Sequence, residues 1–189
     1  MQLSIKTNFP EVQRELEALS KDVGNAATAS ALNKVTAQAK TAMSREIRQE
    51  FAISANLVNQ RLRITRASAN GGRLNIEASL QATKGKGKSI NLINFGARQT
   101  AKGVSVKIKR AGARKVIKGA FIANKGRTVF IRVDKARLPI KALQTIDVPN
   151  MFQTKRINAK VLELIALRFP GIFANDVRFF TSKFNQTRS

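Results

Sequence analysis

Apolar residues recur at helical spacing over the first sixty positions. Val12, Leu16, Leu19 and Val23 follow one another at such spacing, Pro10 stands at a first-turn position and Glu11 suits a helix N-terminus. The pattern predicts a helix that Gly24-Asn25 ends. A second helix is predicted over about Ala26 to Phe51, where Leu32, Val35, Ala39, Ala42/Met43 and Ile47 form one stripe. Its many alanines keep the stripe narrow and allow close approach of a neighbour. Ser54 is placed to cap a short third helix, Ala55 to about Leu62.

From Arg73 the period drops to two. Leu74, Ile76, Ala78 and Leu80 alternate with Asn75, Glu77, Ser79 and Gln81, which predicts a half-buried strand. Lys84-Gly85-Lys86-Gly87-Lys88 reads as a charged tip, and Ile90 and Leu92 resume the alternation, so a hairpin is predicted. Val104, Val106 and Ile108 alternate with Ser105, Lys107 and Lys109. Val129, Ile131 and Val133 do the same with Phe130, Arg132 and Asp134. Between these strands, Arg110 to Lys118 reads as a basic loop or extended arm. Leu138-Pro139-Ile140 reads as an edge strand or turn, since proline cannot donate to a central ladder.

The helical period returns after Asp147-Val148-Pro149. One helix is predicted from about Asn150 to Phe169, closed by Pro170-Gly171, and a short last one from about Ile172 to Phe184. The expected class is α+β in a single domain over residues 1–189. It is helical over 1–66, basic with an antiparallel sheet over 73–148, and helical again over 150–184.

Charge sharpens this picture. The 189 residues include 35 Lys and Arg against 11 Asp and Glu, a formal +24. Residues 1–60 hold 7 basic and 6 acidic side chains, residues 61–141 hold 21 and 2, and residues 142–189 hold 7 and 3. The excess therefore sits in the centre, as expected of a face or tunnel that meets a polyanion, or of a segment ordered by assembly. Cysteine and histidine are absent, which removes disulfide scaffolds, thiolate nucleophiles, zinc fingers and Ser-His or Cys-His catalysis. Met1–Pro10 has no apolar stretch of the signal-peptide kind, and no run of eighteen apolar residues occurs. Neither a secretory signal nor a membrane span is expected.

Gly87-Lys88-Ser89 resembles the end of a phosphate-binding P-loop. Ala82 stands where that motif needs its first glycine, and the following residues have strand rather than helix character, so a nucleotide site is not expected. Paired carboxylates are equally scarce. Glu77, expected on a polar strand face, Asp134, expected in a turn or ion pair, and Asp147 are the sole acids between residues 51 and 162. A magnesium nuclease needs two or three converging acidic ligands. No enzymatic activity, cofactor or metal is expected.

The strongest signal is the run Lys107, Lys109, Arg110, Arg114, Lys115 and Lys118, the expected contacts for DNA or another polyanion. Strand spacing puts Lys107 and Lys109 on one face, opposite Val106 and Ile108, where they would bind phosphates without sequence preference. Tyrosine and tryptophan are absent, and the basic segment holds just Phe95, Phe121 and Phe130, so base stacking is disfavoured. Contact with duplex backbone or an acidic protein surface is the more economical expectation. Near the C-terminus, Phe173, Phe179, Phe180 and Phe184 are candidates for a subunit interface, against the plainer role of packing in the chain's own core.

The order of short motifs carries a resemblance. Ala31-Leu32-Asn33-Lys34-Val35 leads through Met43-Ser44-Arg45-Glu46-Ile47 to Leu62-Arg63-Ile64. After the basic sheet come Gly119-Ala120-Phe121-Ile122, Leu138-Pro139-Ile140 and Ile146-Asp147-Val148-Pro149. Over about residues 25–165 the chain resembles the prophage minor tail protein Z family, the tail completion proteins of long-tailed lambda-like phages. The resemblance implies a non-enzymatic virion protein, assembled in the host cytoplasm at the head-proximal end of the tail. It further implies completion of the tail for head joining and placement of the DNA end for delivery. The implied partners are the tail terminator, the tail tube, the head connector, further copies in a ring and the DNA end, with no membrane. Composition alone would also suit a cellular, sequence-nonspecific nucleic-acid-binding protein of ribosomal or nucleoid kind.

Overall fold

A computed structural model describes residues 2–5, 21–69, 75–83 and 89–188. The helix expected around Val12, Leu16 and Leu19 and the tip at Lys84 to Lys88 lie outside the described residues, as do Arg73 and Leu74. In chain order the elements are β1 (Gln2–Ile5), α1 (Lys21–Glu50), α2 (Ala55–Arg61), β2 (Leu62–Thr65), β3 (Ala78–Ala82), β4 (Ile90–Asn91), a 3-10 turn (Leu92–Phe95), β5 (Arg98–Thr100) and β6 (Gly103–Val106). They continue with β7 (Lys115–Lys118), β8 (Ala120–Ala123), β9 (Thr128–Arg132), β10 (Ile140–Ala142), β11 (Gln144–Thr145), α3 (Val148–Phe152) and α4 (Lys155–Arg188). The class is α+β, with helices toward both ends and small antiparallel sheets in the middle.

Two compact units divide the chain. The first comprises Met1–Met43, Leu62–Ala82 and Lys155–Ser189, and the second Ser44–Arg61 and Thr83–Thr154.

In the first unit, β3 is the central strand between β1 and β2, with Ile5 opposite Ala78 and Leu62 opposite Ala82. The predicted hairpin from β3 to Ile90 does not form. β3 pairs with β1 and β2 instead, while β4 pairs with β11. Both faces of β3 are largely covered, with Ala78, Ser79, Leu80 and Ala82 buried, so strict alternation is lost. Ile76 and Glu77 precede the strand, and Glu77 is half-buried and engaged rather than an exposed charge on a strand face.

Helix α1 begins before Gly24-Asn25 and runs through it, contrary to the predicted break. A glycine inside a helix costs about 1 kcal/mol relative to alanine. Burial offsets that cost: Val23, Ala27, Ala31, Val35, Ala39, Met43 and Ile47 form a row at spacing four, all 6% exposed or less. The buried Thr28 and Thr36 hydroxyls donate to the Gly24 and Leu32 carbonyls at 2.7 Å, so neither is left without a partner.

Helix α4 likewise runs straight through Pro170-Gly171, which were expected to end it. Proline removes one backbone donor and crowds the preceding turn, at about 3 kcal/mol. Ile157, Val161, Ile165, Phe169 and Phe173 nonetheless continue one buried stripe across it, with Phe169 and Phe173 stacked at 6.0 Å. Each of these large side chains contributes about 1.5–3 kcal/mol by leaving water, enough to hold the helix on both sides of the proline.

Farther along α4, the buried Asp176 pairs with Lys34 of α1, while its second carboxylate oxygen has no hydrogen-bond partner among the described residues. Lys34→Ala would strand that carboxylate and is expected to cost about 1–2 kcal/mol, because Lys34 is itself more than half exposed. The double variant Lys34→Ala/Asp176→Asn should recover part of this in thermal unfolding, since no buried charge then remains. A double variant less stable than Lys34→Ala would contradict the pairing.

In the second unit, three sheets share a core of Leu92, Val104, Val106, Ala120 and Val129. Their orders are β5-β6-β7, β10-β9-β8 and β11-β4. Asn91 joins β4 to β9: its Oδ1 accepts from the amides of Ile93 (3.0 Å) and Val129 (2.9 Å), and its Nδ2 donates to the Val129 carbonyl. Ser54 caps α2 through the Leu57 amide at 3.4 Å, and Asp147 caps α3 through the Val148 amide at 2.8 Å.

Candidate functional site

The second unit holds 20 basic and 4 acidic residues in sequence, a balance of +16, against 15 and 7 in the first. The predicted basic face is divided among several elements. Strand β6 ends at Val106, so Lys107 and Lys109 lie past it. Lys107 is half-buried and its amide donates to the Phe95 carbonyl at 3.3 Å. Lys109 is exposed, pairs in a bridge with Phe51, and sits 4.0 Å from Glu50. Half of the stretch read as a loop or arm is ordered as β7, an edge strand in register with β6 from Gly103↔Lys118 to Val106↔Lys115. Val104 and Val106 turn to the core from β6, the central strand of this sheet, which has a partner on each edge. β7 supplies one of them.

Within β7, Lys115 and Lys118 are both exposed but fall on opposite parities of the strand. Ile117 packs on the core and Val116 is 49% exposed. Arg114 serves the fold directly. Its guanidinium donates to the Ser105 hydroxyl and carbonyl at 3.0 Å each and to the Gly96 carbonyl, tying the start of β7 to β6. Arg110 is held to the C-terminal turn of α1. Its amide donates to the Glu50 carbonyl at 2.8 Å and its Nε to the Arg48 carbonyl at 2.6 Å. That bond brings it beside Arg45, Arg48 and Gln49, which with Arg110 line a surface concavity. Sequence reading overlooked Arg45 and Arg48. Their spacing of three on a helix was the available signal, but their convergence with Arg110 comes from the strand-like pairing of residues 50–52 with 108–110.

The aromatic residues of the basic segment are occupied. Phe95 is fully buried, Phe121 and Phe130 stack across β8 and β9 at 6.1 Å, and the Arg132 guanidinium lies 5.3 Å from the Phe121 ring centre. Of the four C-terminal phenylalanines, Phe173 is buried in its own unit, Phe180 and Phe184 are half-buried, and Phe179 is 60% exposed. Among the described residues there is no group of three or more acidic side chains able to hold a metal. Asp147 is a helix cap, Asp134 is exposed in the turn between β9 and β10, and β4 with its 3-10 turn follows Ser89 where a P-loop would need an α-helix. No helix among the described residues is long and apolar enough to cross a membrane.

These features describe a strongly cationic surface carried on small sheets, with no cluster of acids among the described residues. No curated protein and no solved structure matches the chain. The family model for prophage minor tail protein Z matches residues 10–179, reaching past the 25–165 span of the motif resemblance at both ends. With nine-tenths of its length inside that match, the chain belongs to the prophage minor tail protein Z family and is a structural component of phage tails, working among other tail proteins of the virion.

Proposed function

We propose that this protein completes the head-proximal end of a long tail, that copies of it form a ring, and that the basic unit faces the DNA end while the tail joins the head. Membership of the tail protein family supports the setting. The observation that carries the polyanion contact is the +16 balance of the second unit, where Lys109, Arg110, Lys115 and Lys118 are exposed. Cations so exposed gain from releasing the counterions condensed on duplex DNA, independently of sequence. The same unit exposes Val133, Leu138 and Ile140 around the β9–β10 turn, apolar surface suited to a neighbouring tail protein.

Gradient-purified particles, washed with nuclease and high salt, should retain the chain at a few copies per tail, and a gold label on it should mark the head-proximal end. Recovery in ribosome or nucleoid fractions, or a label at the distal tip, would overturn the assignment. The polyanion contact has its own test. The quadruple variant Lys107→Gln/Lys109→Gln/Lys115→Gln/Lys118→Gln spares Arg114, which the sheet needs. Its log-affinity for duplex DNA should depend on log-salt less steeply, by about 3 in slope. An unchanged slope would take these four lysines out of the DNA contact.

A further inference from the structure

We propose that Arg45, Arg48 and Arg110 form a phosphate-binding cleft for the backbone of a nucleic acid. The cleft rests on the polyanion contact proposed above and gives it a specific location. All three arginines line one concavity with Gln49, within the second unit. Arg45 and Arg110 are exposed and Arg48 is half-buried, so a ligand can reach them.

Two of the three are already oriented. Arg48 donates its Nε to the Ser44 carbonyl at 3.2 Å, and Arg110 donates its Nε to the Arg48 carbonyl at 2.6 Å. Each bond uses the inner nitrogen of the guanidinium and leaves the paired Nη donors, the fork that matches two phosphate oxygens. Backbone pairing fixes the approach of Arg110: the Ala52 amide donates to the Ile108 carbonyl and the Arg110 amide to the Glu50 carbonyl, both at 2.8 Å.

Arg45, Arg48, Arg110 and Lys109 outnumber the two acids nearby, Glu46 and Glu50, and both acids have partners of their own. The Gln49 amide, with its nitrogen toward Glu46, donates to both carboxylate oxygens at 3.1 and 3.2 Å, and Glu50 lies beside Lys109. Carbonyls at the end of a helix ordinarily repel anions. Here those of Ile47, Arg48 and Glu50 all accept hydrogen bonds, the last two from Arg110. A phosphodiester supplies the negative charge and paired oxygens that three converging guanidiniums require.

The test is fluorescence anisotropy of the full chain with an end-labelled duplex. Arg45→Gln/Arg48→Gln should weaken binding by on the order of 30-fold at 0.1 M salt and reduce the salt slope by about 2. Arg45→Lys/Arg48→Lys keeps the charge but not the forks, so it should keep the slope and still lose about 5-fold or more. Wild-type affinity in either variant would overturn the cleft. Failure of the unmodified chain to bind any duplex would overturn the polyanion reading as well, which separates the two.

Should the variants misfold, the Nε–H resonances of the unmodified chain decide. Those of Arg45, Arg48 and Arg110 should shift on adding duplex, and signals that stay put while others move would rule the cleft out. Equal competition by a polyglutamate peptide for the same three resonances would assign the cleft to an acidic protein and overturn the phosphate assignment.

Discussion

Gly103→Ala should disrupt the sheet that carries Lys115 and Lys118, two of the six candidate basic residues. Gly103 opens β6 at φ +143°, a conformation that side-chain-bearing residues rarely adopt. A Cβ there would run into the Ile117 carbonyl oxygen of β7 and stand 2.9 Å from its carbon. Both are backbone atoms, so no rotamer change relieves the contact. The same position anchors its turn, because the Gly103 carbonyl accepts from the Thr100 hydroxyl at 2.8 Å and the Gln99 amide at 3.2 Å. Backbone strain and loss of the β6–β7 register together are expected to cost about 3–5 kcal/mol. The loss should appear as faster amide exchange at Val104 and Ile117, with a lower urea midpoint. Gly112→Ala is the control. Its Cβ would meet Lys109 at 3.6 Å or more, ordinary contact, and stability should hold within about 0.5 kcal/mol. Equal behaviour of the two variants would refute the backbone argument.

Phe173→Ala and Phe179→Ala should part company in the same way. Phe173 is fully buried and stacked on Phe169, so removing its ring leaves a cavity and should cost about 3–5 kcal/mol in the unassembled protein. Phe179 is 60% exposed and meets Phe180 edge-on at 5.2 Å. Its replacement should leave the isolated chain's stability nearly unchanged, and any defect should appear in incorporation into tails. Denaturant titration of the two proteins, followed by quantification in assembled particles, separates packing from interface. A Phe179→Ala chain that melts like Phe173→Ala would take Phe179 out of the interface group.

Among the charges, the structure redistributes roles that composition treats alike. Arg114 is bound to two oxygens of Ser105 in β6 and to the Gly96 carbonyl, Lys107 is half-buried, and Lys115 and Lys118 occupy opposite parities of an edge strand. Arg45 and Arg48, remote in sequence from the basic run, stand with Arg110. A count of cations therefore measures the field of this unit but not which side chains can meet on one phosphate.

What the sequence determined alone is what depends on neighbours a few positions away. The stripe Leu32, Val35, Ala39, Met43 and Ile47 is buried as predicted, Ser54 caps the helix it precedes, and the parity of Val104 and Val106 sets the core side of β6. The family resemblance was legible for a related reason: it lies in the order of such short segments, and the family match covers them all. Tertiary structure decided whatever depends on distant partners. Pro170 and Gly24 are breakers by local propensity, yet both sit inside helices, because the buried row across Pro170 and the one running from Val23 along α1 outweigh one lost hydrogen bond or one flexible residue. β3 takes β1 and β2 as partners in place of the nearby Ile90 segment, and β7 becomes a strand because β6 needs an edge. Periodicity specifies which face of a segment leaves water, whereas the surface that covers that face is supplied by residues tens of positions away.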